Sequence, residues 1–350
     1  MHHFSLSKSI QVLLFFFLLI AGLVYAKPFL VPLTIAALFS MLLLPFSAWL
    51  QQKGSAKWLA TLASILLFVI VVGGIIWLIA WQVSDLRKDA SGIEQNLNKK
   101  IEEFRQYIKS TFGISVQKQN ELVKEQSNSS SGGGGFVSKI LAGLGGFLTN
   151  TILVLVYMFL FLYFRTHIKK FILLITPKEN ASKTQKIIEN CRKVSQKYLT
   201  GLAMMIACLW VMYGIGFSIV GVKGALFFAI LCGLLEIVPF VGNLTGNAIT
   251  VIMVIAQGGS MNMVFGVIIT YAIVQFIQTY LLEPLVVGSE VNINPLFTII
   301  GLVIGELVWG IPGMILAIPL LGITKIICDN VDDLKPYGFL LCTQKSKTKK

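Results

Sequence analysis

Charged side chains are scarce: 13% of 350 residues, against about 25% in an ordinary soluble domain. That scarcity excludes a cytosolic globular enzyme, whose surface needs charge to stay in water. Cysteine and histidine are few as well, five and three. Cys191, Cys208, Cys232, Cys328 and Cys342 form no CxxC pair, and no HExxH occurs. Neither a disulfide framework, a metal site nor any other cofactor is indicated. No GxxxxGK[ST] loop is present to cradle a nucleotide phosphate, and no GxSxG elbow to raise a serine nucleophile. The expectation is a protein that is not an enzyme and does not hydrolyse ATP by that route.

What the chain has in excess is apolar residues, 55% of the total, at a mean hydropathy of +0.79. They fall in long blocks at about 9–26, 28–50, 57–82, 139–164, 201–221, 224–257, 261–282 and 295–328. Roughly 20 apolar residues cross a hydrocarbon core as a helix. The fold class predicted is an all-α, polytopic membrane protein of about eight spans; a β-barrel would show short alternating segments instead. The first block, Ile10 to Val24, reads as a retained span and not a cleaved signal, because the later spans give a consistent topology only if it is kept. The blocks at 224–257 and 295–328 exceed one crossing and are interrupted by Gly and Pro. Each reads either as a hairpin of two half-helices or as a kinked span.

The blocks divide the chain into a three-span segment at 1–82, a polar loop at 83–138, a fourth span at 139–164, a basic loop at 165–200, a membrane core at 201–328 and a tail at 329–350. Within the polar loop, Leu86, Ala90, Ile93, Leu97, Ile101, Phe104 and Ile108 recur at helical spacing, an amphipathic helix over 85–112. Ser127 to Gly135 follows as a flexible linker. In the basic loop, Thr176-Pro177-Lys178-Glu179 has the pattern of a capping box.

The formal charge of +13 sits beside the spans, where it fixes orientation, so nucleic acid is not an expected partner; the lipid bilayer is. Lys53 and Lys57, the cluster from Arg165 to Lys197, and Lys345 to Lys350 all fall on one side if both termini are cytoplasmic. Eight crossings satisfy this, and so do ten if both long blocks are hairpins. The two arrangements put Glu283 to Asn294 outside or inside, respectively.

Charges within apolar blocks are costly unless paired or hydrated, and they mark candidate pathways. Glu236 precedes Pro239, Gly242 and Asn243, where the missing amide of proline and the freedom of glycine predict a broken helix. Transporters use such breaks to bind solutes or ions; the plainer reading is a carboxylate at the membrane interface. Tyr271, Gln275 and Gln278 share a helical face, which either hydrates a route or joins helices by hydrogen bonds. Glu283 and Glu290 read as helix-end or loop positions, whereas Glu306 has apolar residues on both sides. Gly242-x-x-x-Gly246 and Gly301-x-x-x-Gly305 permit close helix approach, with packing as their default meaning.

The stretch from Gly233 to Gly242, GLLEIVPFVG, resembles a hallmark of the autoinducer-2 exporter family of permeases. So do Gln278 to Gly288, Asn294-Pro295-Leu296 and the run from Gly305 to Pro319, as well as Pro28 to Pro32 with Pro45 near the N-terminus. The resemblance covers nearly the whole chain and is weakest over 83–138. It implies a multi-span permease of the bacterial inner membrane that exports autoinducer-2 or exchanges sodium or lithium for protons. It also implies a homo-oligomer, with a pentamer expected. One departure is Asn243, where relatives often carry proline.

Taken together, these readings predict a secondary transporter that moves a small polar solute or monovalent cation outward. Glu236 is the expected proton- or cation-binding carboxylate, Asn243, Gln275, Gln278 and Glu306 the expected pathway residues, and Pro239, Gly242, Pro312 and Gly313 the expected breaks. The rival from another class is a non-transporting oligomeric scaffold assembled through the 85–112 helix.

Overall fold

A computed structural model describes residues 6–88, 96, 99, 102, 103, 106, 110, 134–238, 241–287 and 293–343. Pro239, Glu290, most of the 85–112 helix and all but the end of the Ser/Gly linker lie outside them. Among the described residues the chain is helical, with no strand beyond one isolated bridge between Ile293 and Cys342. In order come α1 (Leu6–Tyr25), α2 (Lys27–Gln52), α3 (Lys57–Lys88), α4 (Gly134–Ile175) and α5 (Ala181–Val220). Then follow α6 (Ala225–Leu235), α7 (Val241–Ala256), α8 (Met261–Ile277), a π-helical segment (Gln278–Val287), α9 (Pro295–Trp309), α10 (Ile311–Asn330) and the short α11 (Lys335–Leu341).

Six of these stretches are long and apolar enough to cross a membrane: Lys27–Gln52, Lys57–Gln82, Thr151–Ile175, Lys178–Val220, Met261–Glu283 and Ile311–Asn330. The all-α polytopic fold is as expected from the sequence. Pro32 and Pro45 sit inside α2 without ending it, as proline can in a membrane helix whose neighbours satisfy the freed carbonyls. The capping box does not form. The Thr176 hydroxyl donates back to the Ile172 carbonyl of its own helix at 2.8 Å, and a single 3-10 turn, Lys178–Asn180, leads into α5.

Both long blocks are hairpins. In the first, a Cβ at Gly242 would run into the Leu235 carbonyl, and one at Gly246 would lie 3.1 Å from Cys232 Cα. Contacts that step forward on one helix as they step back on the other mean antiparallel packing. In the second, Gly305 meets Gly313 and Gly301 meets Leu321 in the same descending order. The turn between α9 and α10 is Gly310 at φ +70°, left-handed backbone that a side chain disfavours. Both GxxxG patterns thus mark sites of close packing.

The chain forms two compact units. The first comprises Met1–Val69, Asn150–Ala203 and Pro284–Lys350, and the second Ile70–Thr149 and Met204–Glu283. In the first unit, Ala36 and Leu43 of α2 pack on Met158 and Leu162 of α4, with Phe39, Ile65 and Phe68 around them. One end of this unit gathers the basic loops. Arg165 Nη2 donates to Gln51 Oε1 at 3.0 Å, Lys57 lies over the Tyr163 ring, and Lys183 pairs with Asp332 at 3.1 Å. Its other end carries the α1–α2 corner and the α9–α10 turn, where Trp309 Nε1 donates to the Leu23 carbonyl at 3.0 Å. Asn294 N–H donates to the Leu341 carbonyl at 2.9 Å, so the start of α9 lies beside α11, which packs on the end of α10 through Gly338 and Asp329.

The second unit packs the α6–α7 hairpin against α5 and α8. Trp210 Nε1 donates to the Ile230 carbonyl at 3.2 Å, and Gly233 lies against the Trp210 ring. Gly216 of α5 faces Thr270 of α8, and Gly266 of α8 faces Val220. Tyr213, Phe217, Phe228 and Val267 fill the space between these helices and are buried.

Candidate functional site

The polar residues of the second unit converge at the turn of the α6–α7 hairpin. Glu236 caps α6 and is 8% exposed, and Gln278, where α8 passes into the π-helical segment, is 2% exposed. A side chain reaches a buried position at such a helix end because the broken backbone brings it off the lipid-facing surface. Gln278 Nε2 donates to Glu236 Oε1 at 2.7 Å. The π-helix widens the turn by one residue per hydrogen-bonded ring, an irregularity found often at functional sites.

One turn into α7, Asn243 Nδ2 donates to Gln275 Oε1, while Gln275 Nε2 donates to Thr279 Oγ1 at 3.2 Å. Asn247 Nδ2 donates to the Asn243 carbonyl at 3.0 Å and lies within 3.2 Å of Asn243 Oδ1 and 3.3 Å of Tyr213 Oη. The last polar step on this face is Thr250, whose hydroxyl donates to the Gly246 carbonyl at 2.8 Å and sits 3.6 Å from Cys232 Sγ. A polar strip therefore runs from Glu236 along α7 between α5 and α8.

The strip is short of donors. Glu236 Oε2, Gln278 Oε1 and Asn247 Oδ1 are shielded from solvent and have no hydrogen-bond partner among the described residues. A buried carboxylate oxygen left unmatched is expensive, because desolvation of a charge outweighs a single hydrogen bond. Three shielded, unmatched acceptors suit an occupant that supplies protons or positive charge. No group of three or more His, Cys, Asp or Glu that could hold a metal ion occurs among the described residues.

Five of the residues singled out in the sequence are thus brought together: Glu236, Asn243, Gln275, Gln278 and, hydrogen-bonded to Gln278, Glu283. Gly242 stands at their centre, pressed on the Leu235 carbonyl. Glu306, Pro312 and Gly313 belong to the first unit, where Glu306 is exposed on α9 and Gly313 packs on Gly305. Pro239 is outside the described residues, and Glu283, though exposed, shares Gln278 as a hydrogen-bond donor with Glu236 and lies close enough for the two carboxylates to interact. Sequence reading missed Tyr213, Asn247, Thr250 and Cys232. Their signal was available in part, since Asn243, Asn247 and Thr250 at spacings of four and three make one polar face on an apolar helix.

Residues 13–333 match the profile of the AI-2E family transporter. The chain is 25% identical over 308 residues to "Putative transport protein YrrI" of Bacillus subtilis (strain 168), covering 86% of each chain. It is 20% identical over 333 residues to YhhT of Escherichia coli (strain K12), which carries the same description, covering 95% of this chain and 93% of that one.

Proposed function

Because the chain belongs to the AI-2E transporter family, we propose that it is a secondary permease moving a small polar solute outward across the bacterial inner membrane. The observation that carries this reading is the buried Glu236, whose Oε1 is held by Gln278 and whose Oε2 is unmatched. A carboxylate at a helix break, at the end of a strip of amides, can accept a proton or a solute hydroxyl in turn. Asn243, Gln275 and Gln278 line the route, and the α6–α7 hairpin carries its movable wall. Under the positive-inside rule the basic end of the first unit faces the cytoplasm, with both termini. An autoinducer-2-like signal, rich in hydroxyl donors, fits the acceptor-rich strip.

The donor deficit equally favours a second reading, exchange of sodium or lithium for protons at the same carboxylate. Sealed proteoliposomes with an imposed pH gradient separate the two. Autoinducer-2 flux that is lost in Glu236→Gln supports signal export, and cation-dependent collapse of the gradient that is lost in the same variant supports exchange. Flux unchanged by the substitution removes Glu236 from the mechanism. Silence in both arms from folded protein leaves the oligomeric scaffold, for which a homo-oligomer such as a pentamer would be the working form.

A further inference from the structure

At the basic end of the first unit, two arginines lie on the successive helices α4 and α5, which a short turn joins. Arg165 on α4 and Arg192 on α5 are close enough for their charges to oppose. Each spends one nitrogen on the protein. Arg165 Nη2 donates to Gln51 Oε1 at 3.0 Å, and Arg192 Nη2 donates to Glu189 Oε1. That same carboxylate oxygen also has Lys193 Nζ at 3.9 Å, so one anion is shared by two cations.

Three further donor atoms are unmatched, although the Arg192 side chain as a whole is 39% exposed. Arg165 Nη1, Arg192 Nε and the Ser195 hydroxyl are shielded from solvent and have no partner among the described residues. Ser195 is 0% exposed and lies one turn beyond Arg192 on α5. Arginine cannot shed its proton to relieve such a mismatch. A purely structural role would aim these N–H groups at helix carbonyls or carboxylates, as Arg165 does with its other nitrogen toward an amide oxygen. Two neighbouring guanidinium groups with shielded N–H donors to spare suit an oxyanion, which would also cancel their repulsion.

We propose that Arg165 and Arg192 form a binding site for a phosphate-type oxyanion at the α4–α5 hairpin. The surroundings favour a lipid headgroup as its source. Lys53 lies over the Trp49 ring at 3.8 Å and Lys57 over the Tyr163 ring at 5.2 Å, the pairing of aromatic and basic residues that sits at headgroup level. Basic pockets between membrane helices on that side take anionic headgroups. The site does not depend on the transport reading.

The test is native mass spectrometry of the purified full-length protein in mixed micelles containing phosphatidylglycerol or zwitterionic phosphatidylethanolamine. Wild type retains phosphatidylglycerol preferentially, and Arg165→Gln and Arg192→Gln each weaken retention about tenfold, as expected for losing a charged hydrogen bond. Arg165→Lys restores only part of the binding, since a point charge lacks the fork. Lys186→Gln, which removes an exposed charge on the same helix as Arg192, leaves binding unchanged. Equal loss in Lys186→Gln, or full retention in both arginine variants, overturns the site. A rise in melting temperature with millimolar inorganic phosphate, abolished by the arginine substitutions, instead assigns the site to a soluble phosphate. Should the variants fail to fold, wild type alone decides: no preference for phosphatidylglycerol and no response to phosphate refute the proposal.

Discussion

Gln278 has a donor end and an acceptor end, and only the donor end is used, on Glu236 and Glu283. Gln278→Leu takes away that donor and leaves a buried carboxylate oxygen bare. The expected cost is about 2 kcal/mol of stability, read as a lower melting temperature in detergent. Combining it with Glu236→Ala costs less than the sum of the two, because the bond is broken only once; strict additivity in that cycle would show the two residues to be independent. A second residue-scale expectation concerns Asp332, which bridges Lys335 at 2.6 Å and Lys183 at 3.1 Å. The hydrogen bond from Lys335, then that from Lys183, holds its carboxyl below the ordinary range. A depressed folded-state value means the contribution is present above the unfolded value of about 3.9 and is lost as pH falls through the lower, folded one. Carbodiimide crosslinking between Lys183 and Asp332 is therefore expected at neutral pH and low salt and suppressed by high salt. Protease access to the segment after Asn330 should rise only below about pH 4; release at pH 6 would show that another group controls it.

At the scale of helices, the hairpins depend on glycine where backbones touch and tolerate change where they do not. Gly246→Ala places a methyl 3.1 Å from the Cys232 backbone and is expected to destabilise by about 1–3 kcal/mol through overpacking. At Gly73 of α3 an added methyl would meet nothing within 4 Å, so Gly73→Ala should stabilise by about 0.5–1 kcal/mol through helix propensity. Thermal unfolding in one detergent compares the two. A destabilising Gly73→Ala would mean that this face of α3 is in contact with something else. The sequence made the helices and the breaks legible, since run length and the Pro/Gly interruptions are local properties. It left hairpin and kink undecided, because the choice depends on whether glycines on either side of a break, Gly305 and Gly313 for one, meet across a turn. The pairing of Asn247 with Tyr213 was hidden for a related reason. In a uniformly apolar stretch such as the second half of α5, hydropathy does not distinguish the face toward lipid from the face toward protein, so a lone tyrosine carries no direction. Glu306 shows the converse: flanking apolar residues made it look enclosed, yet its side chain is exposed on α9.

Across the whole molecule, the basic loops distant in sequence meet at one end of the first unit, which is what a shared membrane side requires. The start of α9 lies there too, hydrogen-bonded to Leu341. A single cysteine at Asn294 in a cysteine-free background is expected to react with an impermeant maleimide from the cytoplasmic face only. Labelling from outside would reverse the orientation assigned to the first unit. The α6 helix, with 11 residues, extends about 16 Å, roughly half the hydrocarbon thickness. The hairpin at Glu236 therefore need not add two full crossings for the start of α9 to lie inside.

The first unit is built from three stretches of chain, the last of which begins at Pro284. At ordinary rates of synthesis, on the order of 5–20 residues per second, its opening helices wait many seconds on the ribosome's schedule for their final partners. Trp309, which ties down the carbonyl of Leu23, emerges only after 286 further residues have been made. The N-terminal helices must consequently enter the bilayer and persist there half-assembled, so that a message cut short before α9 yields inserted helices for the quality-control proteases and no finished unit.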